Sequence, residues 1–108
     1  MTNYLFIESR DPFEHSDVLN IYDLAQALVH EGNHVTLFLI HNGVFPARRS
    51  ARSEVLTRLA NAGVILLADD FSLRERGIRA DRLTPEVHPK PLDVVIDHLA
   101  GGSKVVWH

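Results

Sequence analysis

Two adjacent carboxylates, Asp69 and Asp70, follow the apolar run Val64-Ile65-Leu66-Leu67-Ala68 and precede Phe71-Ser72-Leu73-Arg74-Glu75-Arg76-Gly77. Side by side at a strand end, two such groups can bind a cation, share a proton or orient a polar substrate. The plainer role is structural, because an aspartate at a helix start accepts hydrogen bonds from first-turn amides and stabilises the helix by about 1 kcal/mol. Acid-base work would also require surroundings that separate the two proton affinities. His15 and His41 offer a second chemistry, as metal ligands or as a general base. The seven histidines, at 15, 30, 34, 41, 88, 98 and 108, follow no metal-binding spacing and read mainly as surface or loop residues. Arg10, Arg48 and Arg49 supply guanidinium forks for a carboxylate or oxyanion, with a solvated or subunit-facing role as the alternative.

Other chemistries are excluded by what the chain lacks. It contains no cysteine, which removes disulfides, thiolate zinc sites and thiol catalysis. No glycine-rich phosphate loop follows the first apolar run, and Ser9, Ser16 and Ser72 lack a glycine-flanked nucleophile setting. No cofactor and no metal are expected. A formal net charge of -3 gives no broad attraction for phosphate backbones, and the Arg48, Arg49, Arg52 cluster is too small to reverse it, so nucleic acid is not an expected partner. No apolar run approaches the roughly 20 residues of a membrane helix. The amino terminus also lacks a basic stretch followed by an apolar secretory segment. The expected setting is the cytoplasm, away from membranes.

With 108 residues, the chain is expected to form one domain over residues 1–108. Residues 3–9 read as a buried first strand. Val18, Ile21, Tyr22, Ala25, Leu28 and Val29 recur at helical spacing, with Ser16 as a start cap and Gly32 as a stop. A second strand covers 35–40, and Gly43, Pro46 and the following arginines mark a loop. A helix over 50–62 carries Val55, Leu56, Leu59 and Ala62 and stops at Gly63. The third strand, 64–68, leads to a short helix through Arg76 that Asp69 or Asp70 caps and Gly77 closes. Residues 79–91 carry three prolines and read as an ordered connection, with an extra strand or turn near 82–87. Pro91 opens the last helix, whose expected buried stripe is Leu92, Val95, Ile96 and Leu99 and whose end is Gly101-Gly102. A final strand covers 104–107. Alternating strands and helices imply an α/β fold: a single three-layer domain, with a parallel sheet of four to five strands and helices on both faces.

Ligands of such sheets bind beyond the carboxyl ends of the strands. That rule selects Glu8, Ser9, Arg10, Asp11 and His15 after the first strand, His41, Asn42 and Gly43 after the second, and Asp69, Asp70 and Ser72 after the third. The candidate crevice is therefore Glu8, Ser9, Arg10, His41, Asn42, Asp69, Asp70 and Ser72, with Glu8, His41 and Asp69 converging across three loops. His30 and His34 fall at the opposite end.

Three segments, Tyr4 to Ser9, His34 to Val44 and Asn61 to Ile78, resemble the DsrE/DsrF-like family of small sulfur-relay proteins, over nearly the whole chain. The resemblance implies a DsrE/flavodoxin-like fold and an association with sulfur metabolism. Many members carry a persulfide-forming cysteine about seven residues before an Arg-Gly pair, and seven residues before Arg76-Gly77 stands Asp69. The framework carries over and the thiol does not. Relatives commonly assemble, so a homo-oligomer (trimer or hexamer) or a complex with a sulfur-relay protein is expected. Phe13, Val44, Phe45 and Phe71 are the contact candidates, unless they complete the core. Since one fold hosts many activities, three roles stay open. They are a binding or structural subunit, an enzyme using Asp, His or metal chemistry at the same crevice, and an anion or small-molecule binding module.

Overall fold

Each strand is followed by a helix or turn that sends the chain back to start the next strand in the same direction. The computed structural model, which describes residues 1–108, joins these units into one sheet. Its strands are β1 (Asn3–Glu8), β2 (His34–Leu39), β3 (Ile65–Asp69), β4 (Val87–Lys90) and β5 (Lys104–Trp107), in the order β4-β3-β2-β1-β5 with every pair parallel. The helices are α1 (Val18–His30), α2 (Glu54–Ala62), α3 (Asp70–Glu75) and α4 (Asp93–Ala100). This is the expected α/β architecture, with five strands.

Strand alternation divides the core in two. Phe6, Val35, Leu37, Leu39, Leu66 and Ala68 point to the face covered by Val18, Tyr22 and Ala25 of α1 and Leu56 and Leu59 of α2. On the other face Leu5, Ile7, Phe38, Ile40 and Leu67 form a smaller cluster, against which Val94 and Val95 of α4 pack. At about 1.5–3 kcal/mol for each fully buried large apolar side chain, the first face supplies most of the stability.

Several elements differ from the sequence reading. The cap position of α1 is Asp17 rather than Ser16, and no side chain caps it. The 79–91 connection contains a 3-10 turn at Ala80–Arg82, and its strand lies at Val87–Lys90, beyond the expected 82–87. Pro89 is tolerated there because β4 is an edge strand, paired only with β3. Val44 is fully buried, so it belongs to the core and not to a contact surface, and Phe45 is half-buried against it. The largest difference is in α4: Leu92, Ile96 and Leu99 are 52%, 66% and 59% exposed. Only Val95 of the expected stripe packs on the sheet, joined by Val94, because no further layer covers the outer side of this eight-residue helix. No helix is long and apolar enough to cross a membrane.

The Tyr22 hydroxyl is buried among these side chains without a hydrogen-bond partner. Burial, followed by the charges of Glu8 and Asp11, raises its pKa well above the ordinary 10.0. A raised acid contributes stability that is complete below the unfolded value and is lost progressively as pH rises from there through the folded value. The protein is therefore expected to lose stability above pH 10, and Tyr22→Phe is expected to flatten that alkaline limb. At neutral pH the same change should be neutral or stabilising by up to about 1 kcal/mol, since it removes an unsatisfied polar group. Urea unfolding at pH 7 and pH 10.5 checks both statements.

Candidate functional site

At the end of β3, Asp69 resolves the choice left by the aspartate pair. It is the cap residue of α3, and its Oδ2 accepts hydrogen bonds from the Ser72 backbone N–H at 3.1 Å and the Ser72 hydroxyl at 2.7 Å. The Ser72 Oγ in turn accepts from the His41 N–H at 2.9 Å. That relay ties the loop after β2 to the start of α3. It also holds His41 at a φ of 49°, in the left-handed region that few side-chain-bearing residues adopt. Asp69 is 3% exposed, and its Oδ1 has no partner. Asp70 points outward and lies 3.9 Å from Arg74, one turn on, an exposed pair of small energetic weight.

Beside this relay, Arg76 donates from Nε to the Asn42 Oδ1 at 3.1 Å and from a terminal nitrogen to the Ser72 carbonyl at 3.3 Å. Two crevices flank Phe71. The polar one, between the loop after β2 and α3, is lined by His41, Asn42, Ser72, Glu75 and Arg76 with Phe45 and Phe71. The other, about 460 Å³, runs between α3 and α4 and is apolar except for His41 and Asp69.

Glu8 lies on the opposite side of the sheet. It follows Phe6 by two residues and shares its face, whereas Asp69 follows Leu67 by two and shares the face of the smaller cluster. The Glu8 carboxylate is fully buried. Its Oε1 is 2.7 Å from the His108 Nδ1, and its Oε2 accepts from the Arg10 N–H at 3.1 Å. The His108 Nε2 is 3.2 Å from the Asp17 Oδ2, which also lies 3.7 Å from the Arg10 guanidinium. The Ser9 hydroxyl donates to the His108 carbonyl at 3.0 Å. Both ring nitrogens of His108 thus face carboxylate oxygens, and both contacts are made when both nitrogens carry hydrogen.

The candidate residues therefore fall into two groups. His41, Asn42, Asp69 and Ser72 come together, and Asp70 stands exposed at their margin. Glu8, Ser9 and Arg10 gather instead around His108, so the expected convergence of Glu8 with His41 and Asp69 does not occur. The sequence reading passed over His108, Asp17, Arg76 and Trp107. One signal was available for His108 and Trp107: the end of the last strand of a parallel sheet lies at the same rim as the other carboxyl ends. Nowhere do three or more His, Asp or Glu side chains gather closely enough to hold a metal ion.

The sequence model of the DsrE/DsrF-like family matches residues 2–107. Among solved structures, the fold is similar to that of MTH1491 from Methanobacterium thermoautotrophicum, a protein of unknown function, at 21% identity and a TM-score of 0.86, with 100% of each chain covered. The ychN protein from E. coli is similar at 20% identity and a TM-score of 0.88, again over 100% of each chain. BT1422 from Bacteroides thetaiotaomicron, a conserved protein of unknown function, is similar at 15% identity and a TM-score of 0.81, over 98% of this chain and 94% of that one. At such identities the likeness is one of fold. Comparison with curated proteins gives no match.

Proposed function

We propose, since this chain belongs to the DsrE/DsrF-like family and that family is linked to sulfur relay, that it works in the cytoplasm as an oligomeric binding or structural subunit and carries no persulfide itself. One observation carries the reading. Asp69, which stands seven residues before Arg76-Gly77, the spacing the resemblance implies for a family thiol, is engaged as the cap of α3 in a chain without cysteine. The acid-base alternative is weaker, because Asp70 faces solvent beside Arg74 and gives Asp69 no buried titratable partner.

Support for assembly comes from the surface next to the cap. Scattered exposed apolar residues are ordinary, but a contiguous patch marks an interaction surface. Phe71, Leu92, Ile96 and Trp107 are all largely exposed and line one crevice, so they form a patch. Native mass spectrometry of the protein purified from its own host, at micromolar concentration, tests this. Multiples of the 12.2 kDa chain, or a complex with a sulfur-relay protein, are expected. Ile96→Glu should return the protein to the single-chain mass with its fold intact, since a change at so exposed a position costs a lone protomer no more than about 0.5 kcal/mol. A wild-type protein that runs only at 12.2 kDa would sink the reading.

A further inference from the structure

A cleft between the loops that follow β1 and β2 gathers two carboxylates from one loop and two arginines from the other without pairing them. Asp11, Phe13 and Glu14 form one wall, and Phe45, Arg48 and Arg52 form the other, around about 320 Å³. Arg48 and Arg52 are exposed, and neither guanidinium is held by a carboxylate. Arg52 lies instead over the Phe13 ring, 4.6 Å from its centre. An aromatic face holds a guanidinium in place without neutralising its charge, and leaves its N–H donors free. On the facing wall Glu14 is exposed and Asp11 half-buried, and Asp11 commits only Oδ1, to the Phe13 N–H at 3.0 Å. Both walls are fastened by the backbone. The Glu14 and His15 N–H groups donate to the Asp11 carbonyl at 3.1 and 3.0 Å, and the Arg48 N–H donates to the Phe45 carbonyl at 3.2 Å. The Arg52 N–H donates to the Ser50 hydroxyl at 3.1 Å.

We infer that this cleft binds a small zwitterion of the amino-acid class, its carboxylate on Arg48 and Arg52 and its ammonium on Asp11 and Glu14. The wall charges disfavour simpler ligands. A bare anion that reached the arginines would also face two carboxylates, and a bare cation would face two guanidiniums. A zwitterion meets opposite charge at both ends, through charge-assisted hydrogen bonds. The volume suits a small molecule, and the rings of Phe13 and Phe45 offer an apolar side chain a surface to cover. The loops beyond the carboxyl ends of the strands are also where ligands of a parallel sheet bind. None of these residues belongs to the patch of Phe71, Leu92, Ile96 and Trp107. Phe45 packs on the core face covered by α1 and α2, so the site does not depend on the assembly reading.

The test titrates the full chain with leucine, leucinamide, N-acetylleucine and inorganic phosphate, following backbone amide and arginine Nε–H resonances by NMR. Low ionic strength is used, because exposed charges are then least screened. Saturable shifts at Phe13, Glu14, Arg48 and Arg52 are expected with leucine at millimolar concentration. Leucinamide lacks the carboxylate and N-acetylleucine the ammonium, and each should bind about fivefold more weakly, the worth of one solvent-exposed charge contact. Phosphate should also bind more weakly than leucine. Arg52→Gln should shrink the preference for leucine over leucinamide and keep that over N-acetylleucine, whereas Glu14→Gln should do the reverse. Both variants alter exposed side chains, and a general loss of structure would not produce that crossed pattern. N-acetylleucine or phosphate binding as tightly as leucine would overturn the inference in favour of an anion site. Leucinamide binding as tightly would overturn it in favour of a cation site, and the absence of saturable shifts would leave two solvated walls and no site. Subunit mass on the same samples separates the two ideas: an oligomer that ignores leucine defeats the inference alone, and a monomer that binds it defeats only the assembly reading.

Discussion

Glu8→Ala is expected to lower the unfolding free energy by about 3 kcal/mol and to loosen β5 ahead of the rest of the sheet. The carboxylate is 0% exposed, and it is the partner of the His108 imidazole at 2.7 Å and of the Arg10 N–H at 3.1 Å. Truncation leaves a void at the end of β1, an imidazole facing it and an amide without an acceptor. Breaking a buried pair typically costs about 3–5 kcal/mol, and the lower end applies because the His108 side chain keeps 24% of its surface in water. For a domain of this size, that lowers Tm by about 12 °C or more. Urea unfolding gives the free energy, and amide exchange at Val105 and Val106 gives the location. Unchanged exchange in β5 would show that the ladder to β1 holds the strand without the side-chain pair.

Gly43→Ala is expected to cost about as much, about 3 kcal/mol, at the upper end for overpacking a tight site. A Cβ at Gly43 would drive into the Glu8 carbonyl oxygen. That oxygen cannot retreat, because it accepts the Ile40 N–H at 2.9 Å as the last link between β1 and the end of β2. Relief would have to move the turn His41–Ala47, which the Ser72 hydroxyl holds through the His41 N–H. A fall in Tm accompanied by altered chemical shifts at both His41 and Ser72 is the expected signature. A fully stable variant would mean that the close approach relaxes without disturbing the relay.

Most of the architecture was legible because it rests on local chemistry. Apolar runs buried on both faces read as parallel strands, and the three- and four-residue spacing of α1 and α2 read as helices with one covered side. The same spacing misled at α4. Periodicity reports that Leu92, Ile96 and Leu99 share a side but not what lies opposite, and a ridge left open resembles one packed on its own sheet. Asp69 and Asp70 were equal as cap candidates until the end of β3 was fixed, since the cap is whichever residue leaves the strand. Glu8 was placed at the correct rim. Its side followed from the two-residue step from Phe6, but its partner His108 depended on β5 lying next to β1, and strand order is a tertiary fact that no local pattern carries.

That strand order also governs when and how the rims are completed. The pairing of β1 with β2 joins Asn3 to His34, whereas the contact of Glu8 with His108 spans 100 residues. Loop-closure entropy rises with such separations, so β5 is expected to dock after the strands whose neighbours are closer in sequence. Consecutive residues of β5 face opposite sides: Trp107 walls the crevice of Asp69, and His108 meets Glu8. One strand end thus contributes to both sites, and separating it from β1 would remove the Trp107 wall from one and the His108 partner from the other.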